Sequence, residues 1–389
     1  MIRKIAVNTG GGDAPGLNAV IRAVVISALW RGWEVWGIRH GYRGLIEEDP
    51  EGLVLLDRKA VRGITHLGGT ILGSTNRGDP FNYPVDVAGK RVPMDMSKRL
   101  VERFNQLGFD ALIAIGGDGS LKLANKLLEL GLPRVIGVPK TIDNDLAGTD
   151  VTFGFQTAVA TATDALDKLH STAQAHERVM VVELMGRYAG WIALHAGLAG
   201  SADVILIPEI EFDIDRVCEK IRRRDARGRH FAIVVAAEGA RPRGGEMQFK
   251  SGKSEFMEHA VLGGIAERVA AEITAGTGKE TRSLVLGHLQ RGGSPVPQDR
   301  LLSLRLGAAA TQFLAEGATE GMASVRGAQI ELTPLSEVSG KIRTVPLDSD
   351  ILRTGRDLGV CFGDEPRGTF IDGTLPPPPY SPLLGRAGE

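Results

Sequence analysis

Short apolar runs alternate with longer helix-period segments along the chain, and glycine-rich turns mark the junctions. Residues 17–30 and about 121–130 have the spacing of helices that bury one face. Buried strands that are followed by helices are typical of parallel sheets. The pattern therefore predicts an α/β fold with two similar doubly wound lobes, mainly parallel sheets and an active site in the cleft between them. Runs that predict buried strands occupy residues 5–7, 34–38, 110–115, 134–138, 179–184, 230–236 and 283–286.

Charge and cysteine content narrow the class of protein. The 46 Lys and Arg residues balance 47 Asp and Glu, which removes the electrostatic case for a nucleic-acid or anionic-membrane partner. The basic run at 222–229 falls at a predicted helix end, where cations are favoured, and is interpreted as a surface feature. Two cysteines are too few for a disulfide framework or a multi-cysteine zinc site. Because no apolar run approaches ~18 residues and the N-terminal run is too short for a signal peptide, we expect a cytoplasmic protein with no membrane partner.

Glycine is the informative excess, with 51 residues that cluster beside Asp, Ser, Thr and Arg. Residues 10–16 (GGGDAPG) and 116–120 (GGDGS) follow predicted strands and precede helices. Glycine loops bring backbone N–H groups close to an oxyanion, and a helix N-terminus adds its positive dipole end. Asp118 could hold Mg²⁺ on a bound polyphosphate. A single loop of this kind is as easily a tight structural turn, but two of them favour phosphate binding.

Two carboxylates follow the strand predicted at 134–138. Asp143 and Asp145 are two residues apart, so in an extended turn they would point the same way. One could take a proton from a hydroxyl while the other binds metal. An Asx turn that caps a helix is the alternative for such a string.

Several arginines lie next to predicted strands or glycines: Arg178, Arg187, Arg282 and Arg291. Guanidinium forks suit a phosphate monoester and can offset charge in a phosphoryl transition state, although any single one is commonly a surface ion pair. His288 is interpreted as a hydrogen-bond partner of a sugar or phosphate. The residues alone thus predict a Mg²⁺-dependent phosphotransferase that acts on a phosphorylated small molecule.

Five motifs in one order closely resemble the 6-phosphofructokinase family. The resemblance covers roughly the first 340 residues, and the chance of coincidence falls sharply when five separate motifs agree. The motifs are GGDAPGLNA (11–19), GGDGS (116–120), PKTIDND (139–145), MGRYAG (185–190) and GHLQRGGSP (287–295).

The resemblance implies transfer of a phosphoryl group to the 1-hydroxyl of fructose 6-phosphate. It makes Asp143 the general base, gives Thr141 the task of positioning the transferring group, and gives Arg187 that of neutralising it. Mg²⁺ would be held by Asp118, with Asp145 as a second candidate. The donor-binding residues implied are Gly12, Arg77, Gly78, Asp118, Gly119 and Ser120. The implied sugar-phosphate residues are Thr141, Asp143, Arg178, Met185, Gly186, Arg187, Glu238, Arg282, His288 and Arg291.

The resemblance also implies an assembly and a division of the chain. In the family, Arg178 and Arg282 would reach in from a neighbouring subunit, so we expect a homo-oligomer, dimer or tetramer, with shared active sites. Residues 1–154 together with about 290–345 would form the donor lobe, and 155–289 the lobe that binds fructose 6-phosphate. Residues 346–389 would be a C-terminal extension with a proline-rich tail at 373–389.

The phosphoryl donor depends on two positions. Family members that use pyrophosphate typically carry Asp at the position of Gly119 and Lys at that of Lys140, whereas ATP users carry Gly at both. Gly119 leaves room where an Asp would place bulk and negative charge beside the nucleotide α-phosphate. Members with this mixed pair resemble ATP users, so ATP is the expected donor. Pyrophosphate is the alternative, since Lys140 could hold a departing phosphate.

Two other classes are less favoured. Lipid and NAD kinases also carry a Gly-Gly-Asp-Gly turn, but they lack the PKTIDND and HLQR motifs. A non-catalytic paralogue that only binds sugar phosphate would be expected to lose the base or the metal residue. Asp143, Asp118 and Arg187 are all present.

Overall fold

Two sheets, one of seven strands and one of four, form the centre of the molecule. The computed structural model describes residues 2–75, 78–247, 249–251 and 261–366 of the 389-residue chain. Its strands are β1 (Lys4–Thr9), β2 (Glu34–Ile38), β3 (Leu53–Leu55), β4 (Tyr83–Val87), β5 (Lys90–Met94), β6 (Ala111–Gly116), β7 (Val135–Pro139), β8 (Val179–Leu184), β9 (Val204–Leu206), β10 (Ala232–Ala237), β11 (Phe249–Ser251), β12 (Val261–Leu262), β13 (Thr281–Val285), β14 (Glu320–Arg326) and β15 (Gln329–Thr333).

Helices cover both faces of the two sheets. Within the described ranges, none of them combines the length and apolarity that a membrane span requires. A short 3-10 helix follows β13 at Gly287–Arg291. The α-helices are α1 (Leu17–Trp30), α2 (Arg43–Ile46), α3 (Ser97–Gln106), α4 (Asp118–Glu129), α5 (Phe155–Ala175), α6 (Trp191–Ala199), α7 (Ile214–Ala226), α8 (Ile265–Thr277), α9 (Pro297–Ala315), α10 (Leu335–Val338) and α11 (Asp350–Asp357).

The strand order confirms the predicted α/β fold with mainly parallel sheets. The larger sheet has the order β15-β14-β7-β6-β1-β2-β3, in which only the edge strands β3 and β15 pair antiparallel. The smaller sheet has the order β13-β8-β10-β9 and is parallel throughout. Ribbons β4–β5 and β11–β12 are separate antiparallel pairs. In a parallel sheet the carboxyl ends of the strands share one edge, which is where ligands bind.

The apolar runs bury side chains on both faces of each sheet. In β1, Val7 belongs to the same buried cluster as Val20 of α1, whereas Ala6 belongs to a second cluster that includes Phe104 of α3. All six residues of β6 and all six of β10 are buried. A parallel strand between two helical layers has no solvent face, which explains why these runs lack polar alternation.

Two predicted boundaries are wrong by a few residues, with consequences for the site. Helix α4 begins at Asp118 rather than near 121, because Gly117 is extended and the Asp118 carboxylate is favoured in the first turn of a helix. Strand β13 begins at Thr281, so Arg282 lies inside the strand, opposite Met180 of β8, and does not precede it.

The beginning of the predicted C-terminal extension packs against the smaller sheet. The backbone of Cys361 forms a parallel β-bridge with Val204 of β9. Leu352 and Phe362 are buried in the core beside that sheet. Residues 346–366 are therefore an integral layer of this part of the fold. The predicted proline-rich tail at 373–389 lies outside the described residues.

Asp299 of α9 is a buried carboxylate that holds the start of α5. Its Oδ2 accepts hydrogen bonds from the Thr157 backbone N (2.7 Å) and from Thr157 Oγ1 (2.6 Å). Asp299→Ala would leave both donors buried without an acceptor, so we expect a loss of about 2–3 kcal/mol in unfolding free energy. Urea denaturation measures it. Asp167→Ala, on the exposed side of α5, is the matched control and should stay within about 0.5 kcal/mol of the parent; equal losses in both variants would contradict the assignment.

Candidate active site

Loops at the carboxyl ends of β1, β6 and β7 lie side by side. Gly10 N donates to Ile115 O (2.9 Å), and Lys140 N donates to Gly116 O (3.0 Å), so hydrogen bonds continue past the ends of the strands. The 3-10 helix that follows β13 reaches this edge from the smaller sheet, since Arg291 Nη1 donates to Asp13 O (3.1 Å). Loops from both sheets therefore meet in one cleft.

Asp143, the predicted base, lies deep in this cleft among cations. Burial raises the pKa of its carboxyl, while the charges of Arg291, Lys140 and Arg187 oppose that rise. Its buried Oδ1 accepts no hydrogen bond from the part of the chain that the structure describes. A buried acceptor without a protein donor can accept a hydrogen bond from a substrate hydroxyl. A raised pKa of the Asp143 carboxyl makes it a stronger base towards the proton of that hydroxyl.

The turn between the two acidic residues is tightly held. Asn144 adopts a left-handed backbone (φ 54°), which asparagine tolerates better than most residues, and its Oδ1 accepts from Thr152 N (3.0 Å). Thr141 Oγ1 accepts from Asp143 N (3.1 Å) and also bonds the Asp145 carboxylate. Burial, and then the nearby charge of Asp143, raise the pKa of Asp145 to about 7. The two carboxylates thus act on each other across one turn.

Lys140 joins the glycine loop to this turn. Its ammonium donates to Gly12 O (2.6 Å), and the side chain is buried. Burial, followed by repulsion from Arg291, lowers its pKa to about 8, and the neighbouring carboxylates oppose the shift. A Cβ on Gly12 would lie 2.9 Å from Arg291 Nη1, so a side chain there would displace the Arg291 guanidinium.

The first turn of α4 carries Asp118, Gly119 and Ser120, the predicted donor residues. Asp118 Oδ1 accepts from Gly340 N (2.8 Å), and its charge contributes to the raised pKa of Asp145. No group of three or more His, Cys, Asp or Glu residues suited to a metal occurs in the described ranges. The two carboxylates of Asp118 and Asp145 nevertheless fit Mg²⁺, which takes one or two carboxylates and completes its shell with water and phosphate oxygens.

Of the predicted donor residues Arg77 and Gly78, Gly78 lies within the described residues. Gly78 follows a loop in which Thr75 O accepts from Gly11 N (3.3 Å) and the Ser74 hydroxyl bonds to Gly11 O. This loop therefore adjoins the first glycine turn. Arg77 lies outside the described residues.

Residues after β8 and β10 form the opposite wall. Gly186 has a φ of 141°, and a Cβ there would lie 2.7 Å from Ala189 O, so the turn requires glycine. Met185 N is held by Gln290 Oε1 (3.3 Å). Burial, and then the charge of Asp143, raise the pKa of Glu238 to about 7, while Arg187 opposes the rise.

The 3-10 helix carries the two predicted phosphate ligands of its motif in different settings. Arg291 is half-buried and faces the glycine loop, whereas His288 is exposed. Gln290, which lies between these residues and is fully buried, also donates to Gly287 O (3.1 Å). Gln290 therefore anchors the helix to the Met185 turn.

The structure does not bring Arg178 and Arg282 to Asp143. Arg178 immediately precedes β8, and Arg282 is the second residue of β13, whereas the cleft lies at the other end of these parallel strands. Six strand residues span roughly 20 Å. Both guanidiniums contact Glu280, at 3.1 Å and 2.7 Å respectively. Their action in the site of a neighbouring subunit stays a prediction.

Three contributors to the site were not assigned from the sequence. Asp13 and Gln290 fall inside recognised motifs without an assigned role, and the structure shows their bonds to neighbouring loops. Arg343 lies beyond every motif. Its Nη1 donates to Asn144 O (3.0 Å), yet a lone arginine in a polar stretch gives no sequence signal for this contact.

Comparison with known proteins identifies the class. The family model described as phosphofructokinase matches residues 4–314. The chain belongs to the phosphofructokinase family, whose members are phosphotransferases. A crystal structure of Pichia pastoris phosphofructokinase in the T-state superimposes with a TM-score of 0.73 at 31% identity, covering 87% of this chain and 35% of that one.

Among individual relatives, the chain is similar to enzymes of both donor types. It is 53% identical to an ATP-dependent 6-phosphofructokinase of Chloroflexus aggregans, covering 93% of this chain and 98% of that protein. It is 48% identical to a pyrophosphate–fructose 6-phosphate 1-phosphotransferase of Streptomyces coelicolor, covering 92% of this chain and all of that protein. Overall sequence identity therefore favours ATP as the phosphoryl donor only modestly, and the choice of donor depends on particular residues.

Glu238 provides a test of the electrostatics of the cleft. A folded-state pKa near 7, above the ordinary 4.5, means that the folded protein retains a proton that the unfolded chain loses between these values. Glu238 therefore makes the protein less stable as pH rises through this window. We expect Glu238→Gln to raise the urea midpoint relative to the parent more at pH 8 than at pH 5. Glu246→Gln, on an exposed carboxylate, is the control; parallel behaviour of the two variants would contradict the burial of charge at Glu238.

Proposed function

We propose that this protein transfers the γ-phosphoryl group of ATP to the 1-hydroxyl of fructose 6-phosphate in a Mg²⁺-dependent reaction. The observation that carries the proposal is Asp143, whose buried Oδ1 has no hydrogen-bond partner in the described ranges and lies in a cleft with Arg187, Lys140 and Arg291. The family and the ATP-dependent relatives support the same reaction.

In this mechanism Asp143 accepts the proton of the attacking hydroxyl at Oδ1. Arg187, across the cleft, offsets negative charge on the group in transfer, and Thr141 orients that group beside the acidic turn. Asp118, with Asp145 as a second ligand, would hold Mg²⁺, which supplies neutralisation of the phosphate oxygens when bound. These residues act mainly by position and charge, as phosphoryl transfer requires.

The sugar phosphate would lie against the wall formed by the β8 and β10 loops. Met185, Gly186 and Glu238 would contact the sugar, and Arg291 with His288 would bind its phosphate. Completion of the phosphate site requires Arg178 and Arg282 of a neighbouring subunit, so we propose a homo-oligomer with shared active sites. The assembly would be a dimer or a tetramer, and a cytoplasmic location stays a prediction.

The donor assignment depends on Gly119 and Lys140. Gly119 is the second residue of α4, where an Asp side chain would add negative charge beside the donor phosphates. Lys140 is engaged with Gly12 O, which gives it a role within the protein that does not require pyrophosphate. The same buried cation is also the observation that favours pyrophosphate as the second candidate.

Loss of the base should remove turnover without loss of the fold. Asp143→Asn keeps the shape of the side chain but cannot accept the hydroxyl proton, so we expect kcat to fall about 10²–10⁴-fold. Initial rates with ATP and fructose 6-phosphate, beside circular dichroism of the same sample, measure this. Asp348→Asn, on an exposed carboxylate, should retain the parent rate. Near-normal kcat in Asp143→Asn would show that another group is the base.

The donor is tested by initial rates of fructose 1,6-bisphosphate formation with ATP or pyrophosphate at matched concentrations. We expect turnover with ATP. Gly119→Asp should lower kcat/KM for ATP about fivefold or more, because a carboxylate near the donor phosphates costs on the order of 1 kcal/mol or more even in high dielectric. Ala328→Asp, at an exposed position in the turn between β14 and β15, controls for added charge and should have no such effect. Turnover with pyrophosphate alone would sink the donor assignment and leave the sugar site intact.

A further inference from the structure

Residues 340–345, here called the crossing segment, pass from one wall of the cleft to the other. Gly340 N donates to Asp118 Oδ1 (2.8 Å), at the first turn of α4. Arg343 N donates to Asp145 O (2.7 Å), at the end of the acidic turn. The crossing segment thus bonds both loops that carry the proposed metal ligands.

At its other end the crossing segment bonds the opposite wall. Val345 N donates to Glu209 Oε1 (2.8 Å), and the same carboxylate oxygen accepts from Gly190 N (3.0 Å). Gly190 is the last residue of the MGRYAG motif, which also contains Arg187. One short segment therefore fixes the acidic turn and the arginine loop to each other.

The side chain of Arg343 lies between these two attachments. Its Nη1 donates to Asn144 O (3.0 Å), and its guanidinium carbon lies 4.3 Å from the centroid of the Trp191 ring. Trp191 Nε1 in turn donates to Arg343 O (3.0 Å). A planar cation stacked on an indole and bonded at one edge is held in a single orientation. Arg343 consequently ties the peptide between the two acids to the first residue of α6.

We propose that Arg343 is a positioning residue that sets where the Asp143 carboxylate lies relative to Arg187. The inference rests on the proposed function for its kinetic part. Because Asp143 Oδ1 has no hydrogen-bond partner in the described ranges, the backbone of the acidic turn determines its place. That backbone includes Asn144 in a left-handed conformation, which persists only where its surroundings hold it. The Arg343 guanidinium and its N–H bond the two carbonyls that follow Asp143 directly.

Position, and not charge, is the means by which Arg343 would act. The cations that act on the Asp143 carboxyl are Arg291, Lys140 and Arg187. Displacement of a catalytic group by about 1 Å can cost 10²-fold in rate, and such a loss falls on the transition state and spares the binding of substrate.

The test compares four variants of the full-length protein. Arg343→Met should lower kcat about 10–100-fold while KM for ATP and fructose 6-phosphate stays within about threefold of the parent. Arg343→Lys, which keeps the cation but loses the planar fork, should recover part of that loss. Trp191→Phe keeps a six-membered aromatic ring but removes the Nε1 donor and part of the indole volume, and we expect its effect to be smaller than that of Arg343→Met. Lys341→Met, exposed in the same segment, is the matched control and should retain the parent kcat.

A second readout does not depend on activity. Hydrogen exchange measured by mass spectrometry should show faster exchange over residues 140–153 in Arg343→Met than in the parent and in Lys341→Met. If the parent protein turned over neither ATP nor pyrophosphate, the proposed function would be wrong. Faster exchange in Arg343→Met would still support the contact between Arg343 and the acidic turn. Unchanged exchange would overturn the inference.

Kinetic outcomes decide the remaining cases. A parent-like kcat in Arg343→Met, or equal losses in kcat and in the folded fraction, would overturn the inference. A rise in KM without a fall in kcat would do so too, because it would place Arg343 in substrate binding. If Arg343→Met fails to fold, Arg343→Lys and Trp191→Phe decide by the same split between kcat and KM.

Discussion

The balance of charge around Asp143 is the constraint on which the rest of the site depends. A carboxylate removed from water tends to stay protonated, and a base must be able to give up its proton before it accepts another. Three cations oppose this tendency, and each comes from a different loop: Lys140 beside β7, Arg187 after β8 and Arg291 in the 3-10 helix. The cleft must therefore hold loops of both sheets together for its chemistry to be available.

Parallel sheets make that convergence possible. All the strands that lead into these loops end at the edge facing the cleft, and bonds such as Gly10 N to Ile115 O extend the ladder into the loops themselves. Burial, and then repulsion from Arg291, lower the pKa of Lys140. Contacts to backbone oxygens, Gly12 O for Lys140 and Asp13 O for Arg291, offset part of that repulsion.

Sequence patterns predicted the parts of the fold that local physics determines. The bounds of α1, β2 and β8 agree with the prediction because continuous apolar runs have few alternative environments. The antiparallel strands β3, β4, β5 and β15 carry short or mixed patterns, and β14 holds a run interrupted by Gly321 and Ser324. β14 lies beside β7, a partner far along the chain that a local pattern does not record. β4 with β5 and β15 with β14 are neighbouring strands whose short runs give only a weak signal.

Site residues divide in the same way. Asp143 and Gly186 were predicted because they fall inside motifs of the family resemblance, and the structure places both of them at the cleft. Arg343 was not predicted, because its contacts with Asn144 and Trp191 join segments about 150–200 residues apart. Its local sequence does not distinguish it from the other arginines of the chain. The candidate reacting groups are thus recognisable from short local motifs, whereas their mutual geometry depends on contacts with distant residues that no motif contains. A family resemblance transfers the first kind of information more faithfully than the second, since it is the spacing within each loop, and not the tie between loops, that a motif records.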